Sequence, residues 1–170
     1  MMYPFYDFLN KKNRYYFNNS WNIDAPIKLI WNEFVNYKQW SFWCDGLERM
    51  EQLDGFDHLQ IGNNVRSTWK GLLPYRITFN SVIKDFMQYS FLSFNVTGDL
   101  HGEGLCYFLP SQDNTTINFI WKVSPTKLWI KVCSPFVRTI FIENHNYIMR
   151  RIISGSIRMI AQKKSPGRRD

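Results

Sequence analysis

The sequence has few of the features that would place it in a membrane or a secretory pathway. It contains no apolar run approaching ~18 residues, the length that a membrane-spanning helix requires. Its first residues, Met1–Asp7, lack the basic start and apolar core of a signal peptide. Its three cysteines, Cys44, Cys106 and Cys133, form no CxxC pair and are odd in number. We therefore expect reduced, buried thiols in a cytoplasmic protein.

Motifs for metals, phosphates and nucleophilic catalysis are also missing. The three histidines, His58, His101 and His145, are far apart and have no companion ligands at zinc-site spacing. The glycines in Gly98–Gly104 are not followed by the Lys-Ser/Thr and helix of a phosphate-binding loop. No Gly-x-Ser-x-Gly elbow occurs. These absences lead us to expect no metal site and no cofactor.

Aromatic residues are plentiful. They make up 18% of the 170 residues, with 7 Trp, 9 Tyr and 14 Phe, and apolar residues make up 45%. Large rings supply much buried area in a core, and they also line cavities that bind small apolar molecules. Composition alone is compatible with either use.

The chain is basic, with a formal net charge of +7 and a sequence pI of about 9.4. Basic chains can bind nucleic acids or anionic membrane surfaces. No RNA-binding aromatic motif, zinc finger or basic helix is present, so we expect no nucleic-acid partner. A transient contact with a membrane surface stays open, beside the simpler interpretation of a solvated basic surface. The oligomeric state is not specified by the sequence.

Alternating apolar residues predict a first strand over Arg14–Ile23, with Tyr15, Phe17, Trp21 and Ile23 on one face. Asp24 is the predicted N-cap of a helix that has Pro26 in its first turn and ends near 35–36. A second short helix is predicted over 37–42. Further strands are predicted over 47–53, 65–70, 75–85, 89–96, 100–109 and 115–123, because turn residues separate these segments.

A long helix is predicted to close the chain. A helical turn is expected over 127–132, and Ser134 and Pro135 open a helix that extends to Ala161 with one broad apolar stripe. Helices segregated from an antiparallel meander are typical of the α+β class. We expect an N-terminal extension over 1–13, one domain over 14–164 and a basic tail over 165–170.

This order of elements resembles the helix-grip superfamily (SRPBCC), which includes START lipid-transfer domains, birch-pollen-allergen-like proteins and polyketide cyclases. Local segments are similar to a bacterial polyketide-cyclase/dehydrase-like branch of it: Trp21–Pro26 with Trp31, Tyr37–Trp43, Ile61–Gly62 before Val65–Arg66, Gly71–Tyr75, Gly98–Gly104, and Asn144–His145 with Met149. The resemblance implies a helix-grip fold. In it, a curved antiparallel sheet of six to seven strands wraps around a long C-terminal helix, with two short helices after strand one. The resemblance also implies a hydrophobic cavity, but no catalytic residues of the superfamily can be assigned to positions in this sequence.

Nine residues are the candidates for ligand binding. The apolar ones are expected on the inner face, where they either meet as a core or enclose a pocket of roughly 300–1,000 Å³. The polar ones would orient a ligand. The candidates are Trp69, Phe79, Phe91, Phe94, Glu103, Trp121, Asn144, His145 and Met149.

His145 and Glu103 are also the candidates for acid/base catalysis. His145 can equally be a structural histidine that packs the long helix onto a strand, and Asn144 can anchor the helix or orient a ligand. His101 and Glu103 share one face of their strand, and Gly102 and Gly104 share the other. Because small residues suit a close-packed inner face, the glycines favour an outward Glu103, but the parity stays open.

Three functions follow from these observations. The leading hypothesis is binding or transport of a small hydrophobic ligand, such as a lipid, isoprenoid or polyketide-like molecule, between the sheet and the C-terminal helix. The alternative is a cyclase or dehydratase that uses the same cavity, with His145 or Glu103 as acid/base. A structural or protein-binding role is the third, and it predicts a filled interior.

Overall fold

A computed structural model describes residues 14–126 and 134–164, with the backbone alone for 134–137. The predicted N-terminal extension (1–13), helical turn (127–132) and basic tail (165–170) lie outside the described residues, as does Cys133. The division into an N-terminal extension (1–13), one domain (14–164) and a basic tail (165–170) stays a prediction.

Seven strands and three α-helices make up the described chain. Strand β1 is followed by helix α1, a 3-10 turn at Tyr37–Gln39 and helix α2, and then six strands and helix α3 complete the order. The helices are α1 (Ile27–Val35), α2 (Trp40–Trp43) and α3 (Ser134–Lys164). The strands are β1 (Tyr15–Ile23), β2 (Leu47–Gln52), β3 (Asn64–Trp69), β4 (Ile77–Met87), β5 (Phe91–Gly98), β6 (Leu100–Ser111) and β7 (Asn114–Pro125).

The strands form one antiparallel sheet in the order β1-β7-β6-β5-β4-β3-β2. From β2 to β7, each strand pairs with the next strand in the sequence. Strand β1 pairs with β7, so that Phe17 lies opposite Trp121. The sheet is curved, and α3 lies across its concave face. The predicted α+β helix-grip architecture is therefore confirmed, including two short helical segments after strand one.

Alternation decides which side chains face inward. In β1, Tyr15 and Ile23 are buried, whereas Tyr16 is 61% exposed on the convex face. Apolar side chains from the strands meet Phe141 near the start of α3, and Ile153 and Ile160 further along it. Burial of these apolar side chains against α3 is what holds the helix on the sheet.

The start of α1 differs from the prediction. Its N-cap is Pro26, with φ −66° and ψ 146°, and no side chain caps the helix. Asp24 lies two residues earlier because Ala25 N donates to the Ile23 carbonyl at 2.8 Å, which puts Asp24 at the centre of a three-residue turn. The prediction that Asp24 caps α1 is wrong. Its carboxylate instead lies 3.5 Å from Lys164 Nζ, near the end of α3.

The short helices are held against the second half of α3. The Trp43 carbonyl oxygen lies so close to Gly155 that a Cβ added there would overlap it. Asp45 pairs with both Arg151 (3.1 Å) and Arg158 (3.2 Å).

The second half of α3 also meets α1, where Lys163 pairs with the buried Glu33. Within residues 14–126 and 134–164, no helix has the combination of length and apolar character needed to cross a membrane.

Candidate functional site

A cavity of about 230 Å³ lies between the concave face of the sheet, α3 and the short helical segments. All seven strands contribute to its wall, together with α1, the 3-10 turn, α2 and the loop between β2 and β3. Its volume is a little below the ~300–1,000 Å³ typical of small-molecule sites. The inner side chains therefore stop short of meeting, and the interior is not a fully filled core.

Aromatic rings form much of the wall. Phe79, Phe94 and Phe119 surround Trp121, with ring centroids 5.9, 5.8 and 5.6 Å from that of Trp121. Gly104 makes this arrangement possible, because a Cβ at this position would overlap the ring of Phe94. A broad, flat apolar surface results.

The structure brings seven of the nine predicted ligand-binding residues together around this cavity. They come from five different elements. They are Trp69, Phe79, Phe94, Trp121, Asn144, His145 and Met149. Their role in binding a ligand stays a prediction.

Phe91 is placed elsewhere. It pairs with Tyr107 across β5 and β6, and the two ring centroids are 6.3 Å apart. Phe94 faces the cavity, and successive residues of a strand alternate in direction, so Phe91, three residues earlier, faces the convex side. Phe91 and Phe94 were both predicted to face the cavity, and this prediction is wrong for Phe91.

Glu103 also lies on the convex face. Its carboxylate is 3.1 Å from Lys122 Nζ, and its side chain is 48% exposed. Gly102 and Gly104 occupy the inner positions of this part of β6, beside the buried Leu100 and Cys106. The prediction that Glu103 lines the cavity is therefore wrong, and its predicted acid/base role has no support from the geometry.

His145 is buried at the boundary between α3 and β1. Its ring stacks on Phe17, with centroids 3.7 Å apart and planes 13° apart. Its Nε2 lies 3.0 Å from Asn19 Oδ1. We assign the proton to Nε2, because the amide oxygen can only accept a hydrogen bond. Nδ1 is then an acceptor. Burial lowers the pKa of His145 from its usual 6.5 to about 4, so the imidazole is neutral at pH 7.

Asn144 connects α3 to the loop between β3 and β4. Its Oδ1 accepts hydrogen bonds from Leu72 N (2.8 Å) and Leu73 N (3.4 Å). Gly71 lies so close that a Cβ there would overlap this oxygen. Two backbone donors fix the orientation of the amide, which leaves the Nδ2 donor of this cavity-lining residue without a partner among the described residues.

The loop between β2 and β3 supplies Leu59 and Asn63 to the wall. Asp54 organises this loop by accepting hydrogen bonds from Gln52, Phe56, Asn63 and Asn64. Burial tends to raise the pKa of Asp54, but these hydrogen bonds outweigh it and lower the pKa.

The described wall carries no Asp, Glu, Lys or Arg side chain. Its titratable residues are Tyr37, Cys106 and His145. The pKa of Tyr37 is raised by burial and by Asp54 and Asp57, and burial raises that of the Cys106 thiol. Every group of the described wall is therefore uncharged at pH 7. Among the described residues of the whole chain, no group of three or more His, Cys, Asp or Glu could hold a metal ion.

Comparison with solved structures identifies the architecture. A protein from Thermus thermophilus superposes with a TM-score of 0.75 at 12% identity, covering 89% of this chain and 100% of that one. An aromatase/cyclase from Streptomyces sp. R1128 gives 0.74 at 10% identity, covering 90% and 97%. The chain has the helix-grip fold. A norcoclaurine synthase from Thalictrum flavum gives 0.62 at 11% identity, covering 89% and 97%.

The predicted helix-grip resemblance is confirmed at the level of the fold. Identities of 10–12% say nothing further about activity. No protein-family model and no curated protein matches the sequence.

Sequence reasoning missed several wall residues of the helix-grip cavity. Phe119 shares the parity of Trp121, and Trp21 was predicted to share one face of β1 with Tyr15 and Ile23, so alternation could have found both. The positions of Phe34 and Trp40 depend on how distant elements meet. The same holds for Asn19, which is not a wall residue but is the hydrogen-bond partner of His145. Other missed wall residues include Asn63, Ser67, Ser81, Phe108 and Ile117.

Proposed function

We propose that the chain binds a small, uncharged, largely apolar molecule in the cavity beneath α3. The observation that carries this proposal is the wall itself: aromatic and aliphatic side chains surround about 230 Å³, and the described wall groups are all neutral at pH 7. Burial of apolar ligand surface contributes about 25 cal/mol per Å² before ordering costs are subtracted. A buried charge without a partner would cost several kcal/mol, so the wall selects against ionic ligands.

Asn144 and His145 would orient the ligand. They are adjacent on α3, and both line the cavity. Asn144 Nδ2 offers a donor and His145 Nδ1 offers an acceptor, so this end of the cavity is complementary to a carbonyl or a hydroxyl group. A few convergent polar groups in an apolar pocket are typical of sites that fix the orientation of a ligand. We therefore favour a ligand with one or two neutral oxygen functions over a pure hydrocarbon.

A second candidate is cyclisation or dehydration of a polycarbonyl substrate. It is favoured by the similarity in fold to an aromatase/cyclase and by a neutral imidazole in the cavity wall. With Glu103 on the convex face, His145 is left as the acid/base group. A pKa near 4 makes it a weak base at pH 7, and its Nε2 is already bonded to Asn19. These two facts make binding the stronger proposal.

A matched pair of fluorescent probes tests the binding proposal. N-phenyl-1-naphthylamine and 8-anilinonaphthalene-1-sulfonate share one ring system, but only the second carries a negative charge. We expect the neutral probe to bind at least about tenfold more tightly, because the wall offers no cation to pair with a sulfonate. Equal or tighter binding of the sulfonate would contradict a neutral site.

Native mass spectrometry of the protein purified from its own cells separates binding from catalysis. A binder is expected to retain a co-purifying neutral molecule, and His145→Gln is expected to weaken its capture. If the protein is an enzyme, the wild type and His145→Gln should both capture the molecule, and the turnover of the variant should fall by ~10²-fold or more. A wild-type protein without any bound molecule, combined with failure of the neutral probe to bind, would refute both candidates.

A further inference from the structure

The positive charge of the described chain is concentrated on one surface. We define the short-helix surface as residues 24–45 and 150–164, which include α1, α2 and the second half of α3. It contains seven Lys and Arg residues and three acids, whereas the rest of the described chain contains eight Lys and Arg residues and nine acids. The sheet side is therefore close to neutral, and the short-helix surface carries the excess positive charge.

This surface also carries the most exposed large apolar side chain among the described residues. Phe42, in α2, is 83% exposed, and Ile157 in α3 is 46% exposed. The two helices are in contact here, since Gly155 packs on Trp43, and Asp45 pairs with Arg151 and Arg158. Phe42 is therefore the sequence neighbour of a residue that packs on the basic second half of α3. Cations combined with an exposed aromatic side chain are typical of surfaces that bind anionic membranes.

The opposite side of the same segment forms part of the cavity wall. Trp40, two residues before Phe42, lines the cavity, as do Phe34 and Tyr37. Trp40 is held in place by its Nε1, which donates to the Glu33 carbonyl at 3.2 Å. A partner that contacts Phe42 would therefore lie against the outer side of a cavity wall that is only one short helix thick.

We propose that the short-helix surface docks on bilayers that contain anionic phospholipid, with Phe42 inserted among the head groups. Cations near an anionic bilayer are attracted to its surface potential, and an aromatic side chain gains from burial at the interface. We favour a lipid surface over nucleic acid, because single-strand binding combines a basic groove with aromatic side chains for successive bases, whereas Phe42 is the one exposed aromatic side chain among the described residues of this surface. Docking would bring the cavity wall to the reservoir of apolar molecules that a membrane provides.

The test uses the full-length protein and vesicles, without any cavity ligand, so it is independent of the proposed function. Sedimentation is measured with vesicles of phosphatidylcholine alone and with 30% phosphatidylserine, at low salt and at 0.5 M salt. We expect binding to the anionic vesicles at low salt. High salt should release the protein, because the Debye length falls from ~10 Å at 0.1 M toward ~3 Å at 1 M.

Two matched pairs of variants locate the surface. Lys38→Glu/Arg150→Glu changes two exposed cations of the short-helix surface, and Arg14→Glu/Lys84→Glu changes two exposed cations elsewhere. None of the four pairs with another described residue, so neither double variant breaks a described ion pair. The first is expected to lower vesicle binding by about tenfold or more, and the second to change it less than about threefold.

Phe42→Ala is compared with Met87→Ala, which truncates another exposed apolar side chain, at the end of β4. We expect only Phe42→Ala to weaken binding, by about fivefold or more. The proposal is overturned if vesicle binding falls equally in the two double charge variants, or equally in Phe42→Ala and Met87→Ala. It is also overturned if the protein binds only neutral vesicles or does not bind anionic vesicles. Binding of an RNA oligonucleotide through Lys38 and Arg150, with no vesicle binding, would assign the surface to nucleic acid and also overturn it.

Discussion

His145 and Asn19 are 126 residues apart in the chain, yet their side chains form a partly buried hydrogen bond between α3 and β1. The contact joins the edge strand of the sheet to the helix that covers it. The stack of His145 on Phe17 reinforces the same junction. His145 therefore has a structural role in addition to lining the cavity, as one of the two sequence-based interpretations of this residue proposed.

Asn19→Ala removes the acceptor for His145 Nε2. We expect the free energy of unfolding to fall by about 1–3 kcal/mol, because a buried N–H is left without a partner. Asn18→Ala is the matched control, since Asn18 is an exposed neighbour on the same strand and should change stability by less than about 0.5 kcal/mol. Urea unfolding measures both values. Equal effects of the two substitutions would show that the hydrogen bond contributes little.

The depressed pKa of His145 makes stability depend on pH. The unfolded chain binds a proton at this residue below about pH 6.5, whereas the folded protein binds it only near pH 4. The stability that comes from keeping the imidazole neutral is complete above pH 6.5 and is lost as the pH falls toward 4. We expect a loss of roughly 3 kcal/mol over this interval.

His145→Gln isolates this contribution, because it removes the titrating group. Urea unfolding at pH 7.5, 6.5, 5.5 and 4.5 should give a clearly flatter pH dependence for the variant than for the wild type. If the two curves run parallel, the imidazole does not change its protonation on unfolding, and its assignment as a buried neutral group is wrong.

Single side chains also show where sequence reasoning reaches its limit. Period-two alternation requires Phe91 and Phe94 to face opposite sides, so the sequence contained enough information to exclude Phe91 from the cavity. The side of the sheet on which Glu103 lies was harder to predict, because its neighbours Gly102 and Gly104 have no side chains whose polarity could mark the inner face. The glycine argument nevertheless favoured the orientation that the structure has.

Whole elements were more predictable than contacts between them. The strands and helices lie close to their expected positions, because alternation and turn residues are local signals. The irregularity in β4 between Ile83 and Asp85 and the fit of Gly155 against Trp43 were not predicted. The irregularity arises within the β4–β5 hairpin, where no turn residue marks it, and the fit of Gly155 depends on a residue far away in the chain.

Gly155→Ala tests the crossing of α2 and α3. Helix propensity alone would make the Gly155→Ala variant more stable than the wild type by about 0.5–1 kcal/mol. We expect the opposite sign, a loss of about 1–3 kcal/mol, because the added Cβ would overlap the Trp43 carbonyl oxygen and force the helices apart. Ser154→Ala, at an exposed position one residue earlier, is the control and should be neutral or slightly stabilising. Chemical denaturation decides the sign.

In the whole molecule, a sheet with aromatic side chains on its concave face closes around a space that those side chains do not fill. The helix α3 completes the enclosure, and the short helices add a wall whose outer surface is basic. A neutral apolar cavity behind a positively charged surface is the arrangement from which both proposals derive. The helix-grip fold supplies the architecture, and the particular wall residues determine which ligands it accepts.

Filling the cavity with a larger side chain tests whether a neutral apolar molecule binds beneath α3. Ser81→Phe places a ring inside, whereas Val82→Phe places the same ring on the other face of β4. Titration with N-phenyl-1-naphthylamine is expected to show at least about tenfold weaker binding for Ser81→Phe and unchanged binding for Val82→Phe, with both variants folded by circular dichroism. Undiminished binding to folded Ser81→Phe would show that the probe does not bind in this cavity.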